Sequence, residues 1–330
     1  MKRFLALALI GLAILGAAIY FADSNLRARA IADARRDLST RAQLTADALD
    51  RILQLRMMGV FTFAALPSFR GFAASDEASR AQRAAIAQNE MRAIVAADPN
   101  VRAASIVDAL GTVNLTTDGS MGATWLERAF VREALAGHLH ASVPSRDFGE
   151  ISQYYSAPIL DNAGNVAGAL VVRVAVQEWW NVISSQTDVL VVDENGVRIA
   201  DRSGAPQVFV ALMTLPGDIA VRALSEKRYG AEATEIRAIN LAALSDEIKR
   251  GRDETFAYRD SNGQTVHAAA QRLATNPWTV IVFETEDVIA ARARNALWEA
   301  IKLSLVMSIV TAGVIFFGPH LNRRPQGKIN

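Results

Sequence analysis

Four times in this chain an aspartate followed three residues later by a glycine lies between apolar or β-branched runs. The copies are VDALGTV (Val107 to Val113), LDNAGNV (Leu160 to Val166), VDENGVR (Val192 to Arg198) and RDSNGQTV (Arg259 to Val266). Asp bonds the backbone ahead of it and Gly supplies a positive φ, so each copy predicts a tight β-hairpin. Asp108, Asp161, Asp193 and Asp260 are therefore turn formers rather than catalytic acids. A helical stretch separates the members of each pair, Trp125 to Ala136 in the first and Asn240 to Arg250 in the second. Each pair closes with a strand that runs into a helix, VAGALVVRVAVQEWWNVI and NPWTVIVFETEDVIAARA. The chain is a tandem repeat of one α+β unit with an antiparallel sheet and helices on its face.

The ends of the chain set a second limit. Phe4 to Ala22 carries no charge and is long enough to cross a bilayer core of about 30 Å, and it reads as an uncleaved anchor. Trp298 to Gly318 holds Glu299 and Lys302 only in its first turn and reads as a second span. Lys2 and Arg3 flank the first span, and Arg323, Arg324 and Lys328 follow the second. The positive-inside rule then puts both termini in the cytoplasm and residues from about 23 to 295 outside an inner (plasma) membrane.

From Ser24 to about Gly59 there is no proline or internal glycine, and Ile31, Leu38, Thr45 and Ile52 recur every seven residues with Ala34, Ala48 and Leu55 between them. This predicts a helix with a seam, reaching roughly 50 Å from the membrane. The seam serves either as one intramolecular core face or as a parallel homodimer stalk. The expected organisation is an anchor over 1–22, a stalk helix over 23–60, a membrane-distal module over 61–186, a membrane-proximal module over 187–290, a second span over 298–318 and a short tail over 319–330.

Composition excludes several functions. Lys and Arg number 35 against 34 Asp and Glu, and no basic run has interleaved aromatics, so a nucleic-acid partner is not expected. There is no cysteine, hence no disulfide, thiolate metal site or Cys nucleophile. His138 and His140 lack further ligands at useful spacing, so neither a metal nor a cofactor is expected. No P-loop, GxSxG, HExxH or Ser/His/Asp grouping is present, and nothing asks for an enzyme.

Arg173 stands out because it sits between valines. Strand alternation puts Ala169, Val171, Arg173 and Ala175 on one face and Leu170, Val172, Val174 and Val176 on the other, apolar one. A guanidinium stays charged and offers a planar fork that fits a carboxylate. It meets a ligand, solvent, or an acidic neighbour such as Asp147 or Glu150. Arg128, near a helix start, suits an anion or a surface pair with Glu127 or Glu133. Tyr154 and Tyr155 point to opposite faces, and Tyr155 is expected to aim its hydroxyl inward.

The layout of span, long helix, two repeated units and second span resembles the double Cache sensor domain, whose modules are PAS-like. Residues 128–180 look most like the sensor half of C4-dicarboxylate histidine kinases. Those proteins carry Arg-Pro-Tyr-Phe-x-x-Ala-x-x-Gly, then Gly-Tyr-Tyr before a small-residue-Pro strand, then a glycine-led strand ending Lys-Val-Asp. The same places here read RAFVREALAG (Arg128 to Gly137), QYYSAP (Gln153 to Pro158) and GALVVRVAV (Gly168 to Val176). Ala129, Phe130, Val131 and Gln153 depart from the pattern.

The resemblance implies a signal-transduction receptor that binds a small organic acid, with Arg128, Arg173 and Tyr155 on the carboxylates and Tyr154, Phe130 and Ser142 lining the site, Ser145 being a further candidate hydroxyl. Amino-acid receptors of this class place an aspartate where Arg173 stands, so Arg173 points away from them. A kinase, chemotaxis or cyclase output domain normally follows the second span. Only PHLNRRPQGKIN follows here, so a separate cytoplasmic output protein, as in a split two-component system, is an expected partner. The other reading is a ligand-free membrane-tethered scaffold or accessory subunit.

Overall fold

The computed structural model describes residues 2–184, 188–201, 208–250 and 255–321, with side chains of 1–23, 77, 300, 301, 304, 305 and 308–321 left aside. Its elements are α1 (Lys2–Ala64), α2 (Pro67–Ala73), α3 (Glu77–Ala97), β1 (Val101–Asp108), β2 (Val113–Thr116), α4 (Ala129–Leu135), β3 (His140–Ala141), β4 (Ser145–Asp147), β5 (Glu150–Leu160), β6 (Val166–Ala175) and α5 (Gln177–Ser184). There follow β7 (Val189–Val192), β8 (Arg198–Asp201), α6 (Gly217–Ser225), α7 (Ala242–Lys249), β9 (Thr255–Arg259), β10 (Thr265–Arg272), β11 (Thr279–Thr285) and α8 (Glu286–Leu321).

All four Asp-x-x-Gly motifs are hairpin turns. Gly111, Gly164, Gly196 and Gly263 have φ between 73° and 87°. In each turn the Asp Oδ1 accepts from the amides two and four residues ahead, for example Asn195 at 3.0 Å and Val197 at 3.0 Å for Asp193. The sheet orders run alike, β2-β1-β6-β5-β3 in the first, where β4 also pairs with β5, and β8-β7-β11-β10-β9 in the second. A mixed α+β chain of two like modules is the result. The helix expected over Trp125 to Ala136 is shorter, because Arg128 has extended backbone and only Ala129–Leu135 is helical.

One helix serves both modules. α1 buries Leu38, Ala42, Thr45, Ala46, Leu49, Leu53 and Val60 against β5 of the first sheet and β10 and β11 of the second. Each fully buried leucine here stabilises the fold by about 2 kcal/mol. The face follows the helical period, so the expected seam holds at Leu38 and Thr45 but drifts off at Leu55, which is 68% exposed. The intramolecular alternative thus accounts for this part of the seam. Leu44 and Met58 lie exposed beside Leu55 on the opposite face.

The two apolar end segments fall inside α1 and α8, but the side chains of 1–23 and of most of 300–321 are outside the described residues, as is 322–330. Among the described residues no single helix is long and apolar enough to cross a membrane. Where α1 and α8 run together, Arg27 pairs with Glu286 at 2.8 Å.

Candidate functional site

β5 and β6 form the centre of the first sheet and sort its side chains by face. Leu170, Val172, Val174 and Tyr155 join the core around α1, while Ala169, Val171 and Tyr154 join a smaller cluster with Phe130, Val131 and Ala134. Arg173 pairs across the strands with Tyr154 and so shares that second face. The alternation expected for β6 is present.

Tyr155 is not on the arginine face. It is 1% exposed among the α1-facing apolar residues and donates to Gln153 Oε1 at 2.7 Å. The cause is a bulge: Leu160 pairs with Val166 but Ile159 pairs with Gly168, leaving Ala167 as an extra residue. Without it the hairpin register would set Tyr155 opposite Val171, on the Arg173 face. One inserted residue exchanges the two faces of the strand, and Tyr154 takes the position expected of Tyr155.

Arg128, Tyr154, Phe130 and Ser142 are brought together. Phe130 stacks on Tyr154, centroids 4.5 Å apart and planes 5° apart, with the Arg128 guanidinium 5.8 Å and 5.9 Å from the two rings. Ser142 Oγ accepts from the Tyr154 amide at 3.0 Å and donates to Val143 O at 2.7 Å, so it supports the strand. Arg128 is 8% exposed and its partner is Asp147, with Nη2 donating to Oδ1 at 3.0 Å and Nη1 to Oδ2 at 3.5 Å. Nη1 also donates to Lys227 O at 2.9 Å. The surface pairs expected with Glu127 or Glu133 are absent from these contacts.

Asp147, itself 3% exposed, collects further donors: Ser145 Oγ at 2.8 Å, Tyr154 OH at 3.1 Å and the Ala231 amide at 2.9 Å. Burial works to raise its pKa, but the charge and hydrogen bonds of Arg128, with those of Ser145 and Ala231, outweigh it, and the carboxyl is held below its ordinary value. Burial and the charge of Asp147 hold the Tyr154 phenol protonated.

A depressed folded-state pKa makes a stabilising contribution that is whole above the unfolded value near about 4 and fades as pH falls through the folded one. The stability gap between wild type and Asp147→Asn is therefore expected to shrink from about pH 6 to about pH 3 in denaturant melts. A gap that widened in acid would contradict this assignment.

Arg173 is the less satisfied cation. It is 8% exposed; Nη2 lies 3.5 Å from Asp118 Oδ2, and Nε and Nη1 are buried with no hydrogen-bond partner among the described residues. The ring of Phe148 covers it, centroid 4.6 Å from the guanidinium carbon. Neither Asp147 nor Glu150 is its partner: Glu150 pairs with Arg102 at 2.6 Å. Asp118 is fixed by Thr116 and Ser120, accepting at 2.9 Å from Thr116 Oγ1 and at 2.6 Å and 3.1 Å from Ser120 Oγ and N. Burial raises its pKa, while the Ser120 and Thr116 bonds and the Arg173 charge prevail and lower it.

Of the two histidines, His138 bonds Glu133 at 3.0 Å and His140 is half-buried. Among the described residues no three His, Asp or Glu side chains form a metal-holding group.

Comparison with solved structures places this architecture. The sensor domain of the V. cholerae histidine kinase DctB superposes with a TM-score of 0.60 at 13% identity, covering 76% of this chain and 98% of that one. The chain has the double Cache sensor-domain fold. The sensory domain of the Campylobacter jejuni chemoreceptor Tlp3, solved with isoleucine bound, superposes with a TM-score of 0.54 at 14% identity, covering 80% and 97%. No family model and no curated protein matches the sequence. Within the double Cache fold Arg128 and Arg173 both lie on the second face of the first sheet; sequence reasoning missed Asp118, which meets Arg173, and offered Asp147 to Arg173, whereas it meets Arg128.

Proposed function

We propose that this chain is the extracytoplasmic sensor of a membrane receptor, and that its distal module binds a small ligand through a carboxylate placed on Arg173. The observation that carries this reading is a nine-tenths buried guanidinium whose Nε and Nη1 have no hydrogen-bond partner among the described residues. Buried donors without acceptors are costly, and a ligand carboxylate is an acceptor suited to a guanidinium. Tyr154 stands opposite Arg173 on the neighbouring strand and stacks on Phe130.

Charge narrows the ligand. Arg128 and Arg173 face Asp147 and Asp118, so the site is balanced as it stands, and the first carboxylate to enter goes to Arg173, the less satisfied cation. Asp118 also supplies an acceptor 3.5 Å from Arg173, so a ligand with an ammonium beside its carboxylate suits the site as well as a simple organic acid. The isoleucine bound to the Campylobacter relative is of that kind. In this reading α1 and α8 carry the signal to the membrane, and the exposed face of Leu44, Leu55 and Met58 receives a second copy. A separate cytoplasmic protein supplies the output.

Thermal shift of the full-length chain against organic acids and amino acids tests the site. At a ligand concentration of one hundred times Kd the stabilisation is about 2.7 kcal/mol, a rise in Tm of about 5 to 10 °C, and Arg173→Ala is expected to abolish it. A response that survives Arg173→Ala sinks the assignment. The pairing of Arg128 with Asp147 favours the other reading, a ligand-free scaffold or accessory subunit of a split sensor kinase, chemoreceptor or cyclase. That reading predicts that no acid stabilises the wild type.

A further inference from the structure

One hairpin touches both Arg128 and Arg173. It joins β4 to β5 through Phe148 and Gly149, and while Asp147 sits on Arg128, the next residue covers Arg173 with its ring. Phe148 holds φ at 56°, a left-handed backbone that a large side chain rarely adopts, and its ring stays 64% exposed. The turn is therefore shaped by what it covers and not by burial of the phenylalanine.

The same hairpin docks on the proximal module. The Arg146 amide donates to Tyr229 O at 3.0 Å, and Asp147 Oδ1 accepts from the Ala231 amide at 2.9 Å. Arg128 reaches Lys227 O from the other side. Residues 227–231 are thus held by the pair that closes the site.

The donor set around Asp147 is what a free carboxylate would seek: a guanidinium fork, two hydroxyls and a backbone amide. The hollow beside it, lined by Arg128, Phe130, Ser142, Ser145 and Lys227, is small, about 30 Å³. We infer that the β4–β5 hairpin is a built-in plug: Asp147 occupies the carboxylate position at Arg128, and an incoming carboxylate that takes this position releases the hairpin and, with it, residues 227–231 of the proximal module.

An intramolecular competitor lowers the apparent affinity of a ligand by the fraction of time the site is open. Binding then changes the contact between the modules, because the displaced carboxylate is also the acceptor for Ala231. The direction of signalling rests on the ligand site at Arg173, but the occupation of Arg128 by Asp147 does not.

Acetate is the probe, with chloride at equal ionic strength as the control, on the full-length chain in detergent. Asp147→Asn is expected to melt lower than wild type without acetate, to be restored by acetate, and to bind it at least about tenfold more tightly than wild type. Ser145→Ala removes one donor from Asp147 and leaves every charge paired, so it folds even if the asparagine variant does not. It is expected to tighten acetate about threefold. Hydrogen exchange of the Arg146 and Ala231 amides should rise in Asp147→Asn.

If neither variant binds acetate more tightly than wild type, the plug is wrong. Unchanged exchange at both amides removes the coupling to the proximal module. Acetate rescue of Asp147→Asn that persists with Arg173→Ala leaves the plug standing even where the ligand site at Arg173 has failed its own test.

Discussion

Gly230→Ala is expected to lower the melting temperature by about 6 to 12 °C, from a loss of about 3 kcal/mol. Gly230 has φ of 125°, and a Cβ there would stand 2.1 Å from Arg146 O and 2.8 Å from its carbonyl carbon. Backbone, not a movable side chain, would have to yield. The residues that flank it make the contact between the modules, Tyr229 O with the Arg146 amide and the Ala231 amide with Asp147. The variant should therefore keep its far-ultraviolet circular dichroism and gain hydrogen exchange over 145–150 and 227–231. A Tm within a degree of wild type would show that the two modules touch less closely than the geometry has it.

The hairpins could be read from sequence because their chemistry is local. An aspartate that bonds the amides two and four residues ahead, with a glycine at positive φ, needs no distant partner to define its turn. Face alternation on β6 was legible for the same reason, since the period of a strand is fixed by its backbone. Arg173 could thus be placed on the face opposite Leu170, Val172 and Val174 before any fold was known.

What escaped was whatever depends on long-range register. The bulge at Ala167 exchanges the faces of Tyr154 and Tyr155, and nothing in the run of residues around it marks that position. The partners of the arginines are set by how separate segments fold back. Asp118 comes from the loop after β2, 55 residues before Arg173, and Asp147 from a hairpin 19 residues after Arg128. The phenylalanine and glycine that follow Asp147 mark a turn, and that signal could have placed a carboxylate near the sheet but not chosen which arginine it meets. The stalk helix fell between these cases. Its helicity was legible, whereas its buried face follows the helical period set by two sheets and drifts away from a seven-residue seam.

Asp193→Ala is expected to cost about 3 to 5 kcal/mol, several times more than Asp161→Ala, although both residues form the same turn. Asp161 is partly exposed, and its second oxygen accepts from Asn165 at 3.2 Å, so its loss removes little beyond the turn bonds. In Asp193, 3% exposed, the second oxygen accepts from Tyr229 OH at 2.6 Å and Arg228 Nε at 3.3 Å. Burial lowers the pKa of Arg228, but the charges of Asp193 and Glu194 raise it further, so the guanidinium stays charged and its loss of a partner is felt. Asp193→Asn keeps the turn bonds and is expected to fall between the two alanine variants. Denaturant unfolding of the three variants separates turn formation from anchoring, and equal losses for Asp193→Ala and Asp161→Ala would leave Asp193 as a turn former alone. A larger loss at Asp193 means that residues 227–231 are clamped by two buried carboxylates, Asp193 beside the second sheet and Asp147 from the first. An element held in that way is where a change at one module would be felt by the other.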